Sequence, residues 1–161
     1  MIKPWILLLS SILPGFASAG SSHPSRAPLK TANDFKTPLE VVQYYCARDA
    51  AGFIWNGMTE AERKAFTLWK EAPQSESYWI ADQYEITPLQ TPSNDQALIE
   101  VHYTLSAQSD AHGTHLLPAQ KDLRVVFVLK KIKQQWKIEK PGAGEIEPVV
   151  VGSSFPLRQA K

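Results

Sequence analysis

The sequence predicts an α+β fold in which two N-terminal helices pack on a curved antiparallel sheet of about four strands. Apolar residues recur at steps of three and four between residues 39 and 72, and they alternate with polar residues from residue 78 onward. Helices followed by hairpin-connected strands are typical of layered α+β folds, because neither layer can bury its apolar face alone. The apolar face of the sheet is therefore expected to lie on the helices.

The first predicted helix begins after Thr37, whose side chain can cap it, and Pro38 suits its first position. Glu40 can reach back to the backbone N–H of Thr37 and complete a capping box. Gly52 is expected to end the helix, because glycine accepts the left-handed turn that closes many helices. The apolar residues between these ends follow at helical spacing: Leu39, Val42, Cys46, Ala50 and Phe53.

Cys46 is the only cysteine of the chain and lies in the middle of that apolar stripe. No disulfide can form within one chain, so the core has to supply the stability. We expect a buried, unreactive thiol. A disulfide between two chains through Cys46 is the alternative.

A second amphipathic helix is predicted from Thr59, because the stretch Thr59–Glu62 repeats the capping-box pattern. Its apolar residues continue at steps of three and four to Ala72. Pro73 is expected to end this helix, since proline breaks a helix interior.

Four strands are predicted after the second helix. Residues 78–86 and 98–105 alternate between an apolar and a polar face, with the turn-rich sequence TPLQTPSND between them. The polar residues 106–122 are expected to form a long loop. Residues 123–129 are apolar on both faces, as in a central strand, and after a bend residues 136–139 alternate, as in a strand with one wet face.

The N-terminus predicts an exported protein. Residues 1–19 have one basic residue, an apolar run and a small residue at Ala19, which indicates a signal peptide cleaved near that position. The apolar run is far shorter than the roughly 20 residues that span a bilayer as a helix. The alternative is an uncleaved anchor. The predicted product is periplasmic or secreted, with no integral membrane segment after processing.

The remaining chain is expected to form one domain. Residues 20–36 are rich in Ser, Pro and Ala and predict a flexible leader. Residues 37–140 form the predicted domain, and residues 141–161 form a C-terminal tail to which Val149–Val151 could add one short strand. The 17 basic and 16 acidic residues nearly balance, which argues against a nucleic-acid partner.

Three stretches resemble the nuclear transport factor 2-like superfamily, also called the cystatin-like cone fold. They are the entry helix TPLEVVQYYCARDAAG, the aromatic strand YWIADQYEI and the closing hairpin VVFVLKKIKQQWKIEK. The resemblance covers roughly residues 37–140, and the polar insert Ser106–Asp122 departs from the usual pattern. It implies a sheet curled around the helices with a pocket at the open end. Some members are isomerases, dehydratases or cyclases acting on hydrophobic small molecules, and others bind ligands or partner proteins, so the fold alone does not decide the function.

Asp82 is the most informative polar residue, because the alternation places it on the same face as Ile80 and Tyr84. Acids so placed recur at active sites, and the resemblance implies that an acid projecting into the cone serves as general base. The alternative is a β-bulge near Ala81, which would turn Asp82 to the solvent.

Tyr45 and Asp49 are four residues apart and therefore neighbours on one flank of the first helix. A tyrosine hydroxyl near a carboxylate could orient a polar group of a ligand. The resemblance implies a tyrosine and acids in an apolar pocket of the isomerases, which makes Tyr45 a candidate catalytic donor and Asp49 a candidate binding residue. The alternative is a tyrosine at the core boundary whose hydroxyl is simply hydrogen-bonded.

Trp55, Trp69 and Tyr78 are further candidate binding residues, although large aromatic side chains fill cores as well as pockets. His112 and His115 share the predicted loop, but zinc needs three or four ligands in fixed geometry, and no motif supplies them. No metal or cofactor is predicted.

The predicted function is the binding of a small hydrophobic ligand or a protein partner without catalysis, with a homodimer through the sheet as one form. The alternative is a cofactor-free isomerase or cyclase with Asp82 as general base and Tyr45 as hydrogen-bond donor. An enzyme of this kind needs both side chains in one closed, mostly apolar pocket. A third hypothesis, an immunity or secretion-system accessory protein, predicts tight association with one other protein.

Overall fold

A computed structural model describes residues 35–52 and 58–152 of the chain. The predicted signal peptide and nearly all of the predicted leader lie outside these residues. The elements are, in chain order, α1 (Pro38–Ala50), α2 (Glu60–Phe66), β1 (Tyr78–Ser93), β2 (Gln96–Asp110), β3 (Gly113–Ile132), β4 (Gln135–Lys140) and β5 (Val149–Val151). Neither helix within the described ranges has the length and apolar character needed to cross a membrane.

The predicted fold class is confirmed: two N-terminal helices pack on a strongly curled, mostly antiparallel sheet. Within the described residues, the sheet has five strands in the order β4-β3-β2-β1-β5. The fifth strand is the predicted short strand of the tail, and it pairs with β1 in parallel. All other neighbours are antiparallel.

Helix α1 begins as predicted. The Thr37 hydroxyl accepts from the Glu40 backbone N–H at 3.2 Å, and the Glu40 carboxylate accepts from the Thr37 N–H at 3.2 Å. This capping box satisfies two N–H groups that the first turn leaves without helical partners. The helix ends at Ala50, and Gly52 follows in the left-handed region at φ 73°.

Helix α2 is shorter than predicted. It ends at Phe66, because Thr67 is extended and forms a parallel bridge with Ile138 of β4. The next N–H, that of Leu68, donates to the Ile138 carbonyl at 2.8 Å. Pairing with the sheet edge has therefore replaced the last predicted turns, and the chain reaches Pro73 without helix.

A buried ion pair ties the two helices together. Arg48 Nε donates to Glu62 Oε1 at 2.7 Å, and the Tyr44 hydroxyl donates to the same oxygen at 3.0 Å. The Thr59 hydroxyl accepts from the Glu62 N–H at 3.2 Å, which is one half of the predicted capping box. The Glu62 carboxylate binds Arg48 and Tyr44 of α1, so it joins the two helices.

The β1–β2 hairpin is longer than predicted. β1 runs to Ser93, and only Asn94 and Asp95 form the turn, so most of the sequence TPLQTPSND is strand. Its side chains are exposed. The alternation that marks a half-buried strand is therefore absent, which explains why this stretch was expected to be a connection.

The predicted loop at residues 106–122 is also wrong, since these residues extend the β2–β3 hairpin. β2 continues to Asp110 and β3 begins at Gly113, with the pairs Ser109–Thr114 and Asp110–Gly113 at the tip. The Asp110 carboxylate accepts from the His112 N–H at 2.7 Å and supports the turn. A register shift interrupts the hairpin between Leu105 and Ala107.

The apolar face of the sheet packs on α1, as predicted. Tyr45 is fully buried, with its ring centroid 5.1 Å from that of Phe127 and 5.9 Å from that of Trp69. Full burial of one such side chain contributes roughly 1.5–3 kcal/mol. The largest fully buried side chains are Tyr45, Phe66, Phe127, Ile99, Leu105, Leu129, Ile138, Val41, Val42, Val101 and Val150.

Candidate edge-strand groove

Strand β3 is paired on both sides only near its C-terminal end, at residues 128–132. Its partner β4 begins after the turn at Lys133 and Gln134 and stops at Lys140, opposite Val128. On that side of β3, no strand within the described part of the chain pairs with residues 113–127. A free strand edge presents a row of backbone donors and acceptors that another chain can pair with.

The parity of β3 shows which backbone groups lie on this edge. The Lys131 N–H donates to the carbonyl of Asp95, just before β2, at 2.7 Å. Neighbouring residues of a strand direct their backbone groups to opposite sides, and the β2–β3 register is unbroken from Lys130 back to Lys121. Odd-numbered residues therefore face β2, and the N–H and C=O groups of Arg124 and Val126 face the free side.

A groove of about 690 Å³ runs along this edge. Its second wall is the segment that connects β4 to β5, and it is referred to here as the edge groove. Its lining residues are Gln74, Ser75, Trp79, Leu123, Arg124, Val125, Val126, Pro141, Gly144, Glu145, Ile146 and Glu147. The β3 side of the groove combines strand backbone with the Trp79 ring, and the opposite wall carries the carboxylates of Glu145 and Glu147.

The second wall is held in place by contacts at both ends. The Trp69 indole N–H donates to the Pro141 carbonyl at 2.8 Å. The Glu145 carboxylate accepts from the Gly142 N–H at 2.9 Å. At the far end, the Trp79 N–H donates to the Pro148 carbonyl at 2.9 Å, which starts the pairing of β5 with β1. The groove is thus bounded by fixed chain on both sides.

Trp79 lies where the groove meets the interior of the curled sheet. Its ring packs partly against the core, and its indole N–H donates to the Glu147 carboxylate. The Lys121 ammonium lies 4.9 Å from the ring centroid, within the range of a cation–π contact. One large aromatic surface therefore sits between an acid and a base at this end of the groove.

Asp82 is exposed and does not project into the core. The register of β1 against β2 shifts on both sides of Ala81, so that Ile80 and Ala81 are both buried and the alternation breaks before Asp82. This is the β-bulge near Ala81 that was the alternative to an Asp82 side chain projecting into the cone. The Gln120 side-chain amide donates to Asp82 Oδ2 at 3.0 Å.

Tyr45 and Asp49 are brought together, as their spacing predicts. The Tyr45 hydroxyl donates to Asp49 Oδ2 at 3.3 Å, and the Val149 N–H donates to the same oxygen at 3.1 Å. Asp49 Oδ1 is buried without a hydrogen-bond partner. Burial raises the pKa of Asp49 to about 7, although the bonds from Val149 and Tyr45 lower it.

Cys46 and Tyr103 continue this buried polar cluster. The Cys46 thiol lies 3.7 Å from the Tyr103 hydroxyl, and burial raises the pKa of the thiol to about 12. Burial also raises the pKa values of Tyr45 and Tyr103 well above the usual value of tyrosine. The predicted burial of this thiol is confirmed, since Cys46 is 1 % exposed.

The three aromatic candidates have different positions. Trp69 is buried, and its indole supports the wall of the edge groove. Tyr78 is half-buried and packs in a small separate cluster with Ile80 and Val150. Trp55 lies outside the described residues. Because Asp82 is exposed and Tyr45 is buried, the two candidate catalytic residues do not share one closed pocket.

Within the described part of the chain, no group of three or more His, Cys, Asp or Glu side chains could hold a metal ion. His115 Nε2 lies 3.6 Å from Asp110 Oδ1 at the tip of the β2–β3 hairpin. His102 Nε2 lies 3.2 Å from Asp122 Oδ1 on the sheet surface. The histidines of the described residues are therefore spread over two places.

Sequence reasoning missed the residues of the edge groove, among them Arg124, Val126, Glu145 and Glu147. The run at residues 123–129 was recognised as a strand with two neighbours, but nothing in its pattern shows where β4 stops. The edge follows from the strand lengths, which the sequence does not display: β3 has 20 residues and β4 has 6. Most of β3 must therefore extend past β4.

Comparisons with protein-family models, with curated proteins and with solved structures gave no match for this chain.

Proposed function

We propose that this protein is a binding domain that takes up an extended segment of a partner polypeptide as an additional strand on the free edge of β3. The observation that carries the proposal is the unpaired edge at Arg124 and Val126 facing the edge groove. Strand addition of this kind uses main-chain hydrogen bonds for affinity and side-chain pockets for specificity.

The dimensions of the groove support this occupant. Strands lie about 4.8 Å apart, rise about 3.3 Å per residue and have a thickness of about 10 Å, so a strand residue takes up roughly 160 Å³. A groove of about 690 Å³ therefore accommodates about four residues. That length matches the four consecutive β3 residues in the lining, Leu123–Val126.

The chemistry of the lining also favours a polypeptide over a small hydrophobic ligand. Sites for such ligands are mostly apolar, with a few polar groups. The edge groove has apolar side chains at Trp79 and Ile146, but its walls carry strand backbone, Arg124 and the carboxylates of Glu145 and Glu147. Backbone donors and acceptors are satisfied best by another backbone.

The enzymatic alternative draws support from the buried Tyr45–Asp49 pair, in which the acid has a pKa of about 7. A catalytic acid has to reach its substrate within hydrogen-bond distance. The edge groove is lined by neither Tyr45, Asp49 nor Asp82. Binding without catalysis is therefore the function that we favour.

The experiment that tests strand addition is the selection of peptides from a displayed random library, followed by amide hydrogen exchange of the complex. Bound peptides are expected to protect the N–H groups of Arg124 and Val126. Val126→Pro removes one of these edge donors and is expected to abolish binding.

Val126→Ala is the matched control, because it changes the same side chain and keeps the donor. Thermal unfolding of both variants tests whether the domain is still folded. Peptides that protect amides away from β3, or that bind Val126→Pro as tightly as the unchanged protein, would contradict the proposal.

Two broader assignments accompany this function. The α+β architecture with a curled half-barrel sheet is compatible with membership of the nuclear transport factor 2-like superfamily, which we propose for residues 37–140. We also propose export after cleavage near Ala19, on the pattern of residues 1–19. Amino-terminal sequencing of the mature protein from the cell envelope or medium tests the cleavage, and a product beginning at Met1 contradicts it.

A further inference from the structure

We infer that the polypeptide segment bound in the edge groove carries an acidic residue between two apolar residues. The inference rests on the proposed function, because it adds the chemistry of the segment that the same groove selects. The acidic side chain lies beside Arg124 on the outer face of the sheet. The two apolar side chains lie on the inner face, which packs on the core.

The two faces of β3 differ in chemistry at the groove. Leu123 and Val125 are partly buried and pack on the core, and Phe127 continues the same face fully buried. Arg124 and Val126 alternate with them and are exposed. Successive side chains of a strand point to opposite faces. The odd-numbered residues of this stretch therefore mark the inner face of the sheet, and the even-numbered residues mark the outer face.

A segment added to the β3 edge has to follow the same alternation. Residues directly opposite each other in paired strands place their side chains on the same face of the sheet. A segment residue opposite Arg124 therefore points outward, and its two neighbours, opposite Leu123 and Val125, point inward. This order of faces is the same for a parallel and an antiparallel segment. The three positions lie within the four β3 residues that line the groove.

The inner side of the groove favours apolar side chains at the two flanking positions. Four partly buried apolar residues line the groove and pack on the core cluster: Trp79, Leu123, Val125 and Ile146. An inward-pointing apolar side chain removes its own apolar surface and part of theirs from water, which favours binding. A polar side chain at either position forgoes this gain.

Arg124 favours an acidic side chain at the central position. Its side chain is 65 % exposed, and its Nη1 lies 3.5 Å from Glu100 Oε1, at the outer limit of a hydrogen bond. The residue directly opposite it on β2 is His102, which offers no carboxylate. A guanidinium has five N–H donors, so donors are left for a second carboxylate. Opposite charges directly across paired strands stabilise the pairing.

The carboxylates of the second wall accept hydrogen bonds from the chain itself. Glu145 accepts from the Gly142 N–H at 2.9 Å, and Glu147 accepts from the Trp79 indole N–H. Arg124, in contrast, belongs to the strand with which the segment pairs. Because pairing fixes which residues lie opposite each other, Arg124 specifies one position of the segment. A basic residue at that position is the competing outcome of a selection.

The sequences of peptides selected from the displayed library test the inference. An aspartate or glutamate between two apolar residues is expected to be enriched. In a synthetic peptide of the selected sequence, replacing the acid by its amide is expected to raise the dissociation constant about three- to fivefold. Replacing either flanking apolar residue by serine is expected to weaken binding as well.

Arg124→Glu is expected to reverse the preference. This variant should bind the peptide with lysine at the central position more tightly than the peptide with the acid, because the opposite charges are restored. Lys133→Glu is the matched control, since it makes the same kind of charge change at the exposed β3–β4 turn, outside the groove lining. It is expected to keep the preference for the acid.

Two results overturn the inference and leave the proposed function standing. In the first, selected peptides protect the amides of Arg124 and Val126 but have no acid at a fixed position between apolar residues. In the second, Arg124→Glu prefers the acidic peptide as strongly as the unchanged protein does. A selection that yields no peptide protecting these amides contradicts the proposed function, and the inference falls with it.

Discussion

Asp49 shows at the scale of one residue how burial changes chemistry. Its carboxyl group accepts two hydrogen bonds on one oxygen and none on the other, inside the core. Desolvation disfavours the ionised form, and the two donors offset this effect only in part. The acid is therefore more stable protonated in the folded protein than in the unfolded chain.

The pH dependence of stability follows from this shift. Between the unfolded value of 3.8 and the folded value of about 7, the folded protein holds a proton that the unfolded chain has lost. Stability from this group is therefore complete below pH 4 and falls as pH rises to 7. A shift of one pKa unit corresponds to about 1.4 kcal/mol, so the total change is on the order of 4 kcal/mol.

Asp49→Asn is expected to remove this part of the pH dependence, because the amide keeps an acceptor and does not titrate. Denaturant unfolding at pH 5 and pH 8 measures it. From pH 5 to pH 8, the unchanged protein is expected to lose about 3 kcal/mol more stability than the variant does. An equal pH dependence in both proteins would show that Asp49 has an ordinary pKa.

At the scale of elements, local signals account for what could be predicted. Helix α1 carries its own start and stop in Thr37, Glu40 and Gly52, and the strands with one buried face alternate visibly. The extended end of α2 depends on a bridge between Thr67 and Ile138, which are far apart in the sequence. The β3 side of the β2–β3 hairpin, residues 113–122, is largely exposed, so no apolar alternation reveals it.

The β3–β4 turn gives a prediction at this scale. Lys133 and Gln134 have φ values of 48° and 67°, a region that favours glycine and asparagine. Replacing them with Asn and Gly, as K133N/Q134G, is expected to stabilise the protein by about 1 kcal/mol. Thermal unfolding measures the gain. Replacing the exposed residues Pro92 and Ser93 with Asn and Gly serves as control, and a loss of stability in K133N/Q134G would contradict the turn geometry.

At the scale of the whole molecule, the candidate groove depends on where strands stop relative to each other. The apolar pattern of β3 and the tail strand β5 could both be predicted. The predicted site differs from the structure in two ways, and strand pairing causes both. A bulge at Ala81 exposes Asp82, and the short β4 leaves Arg124 and Val126 on a free edge. Register is set by contacts between distant residues, which a single sequence does not display.

Amide hydrogen exchange tests this arrangement across the sheet. In the protein without a bound peptide, the N–H groups of Val125 and Phe127 are expected to exchange slowly because they face β2. Those of Arg124 and Val126 are expected to exchange faster by orders of magnitude, because they face the edge groove. Equal protection of neighbouring amides along residues 124–127 would mean that the edge is covered.

The parallel pairing of Val149 with Trp79 makes the last strand of the sheet a neighbour of the first. The same Val149 N–H also reaches Asp49 on the first helix, across 100 positions of sequence. A nascent chain cannot complete this sheet until almost all of it has been synthesised, and contacts of such separation slow the folding reaction. Until Val149 has been synthesised the sheet stays incomplete, which is compatible with the export proposed above, because translocation channels pass unfolded chain.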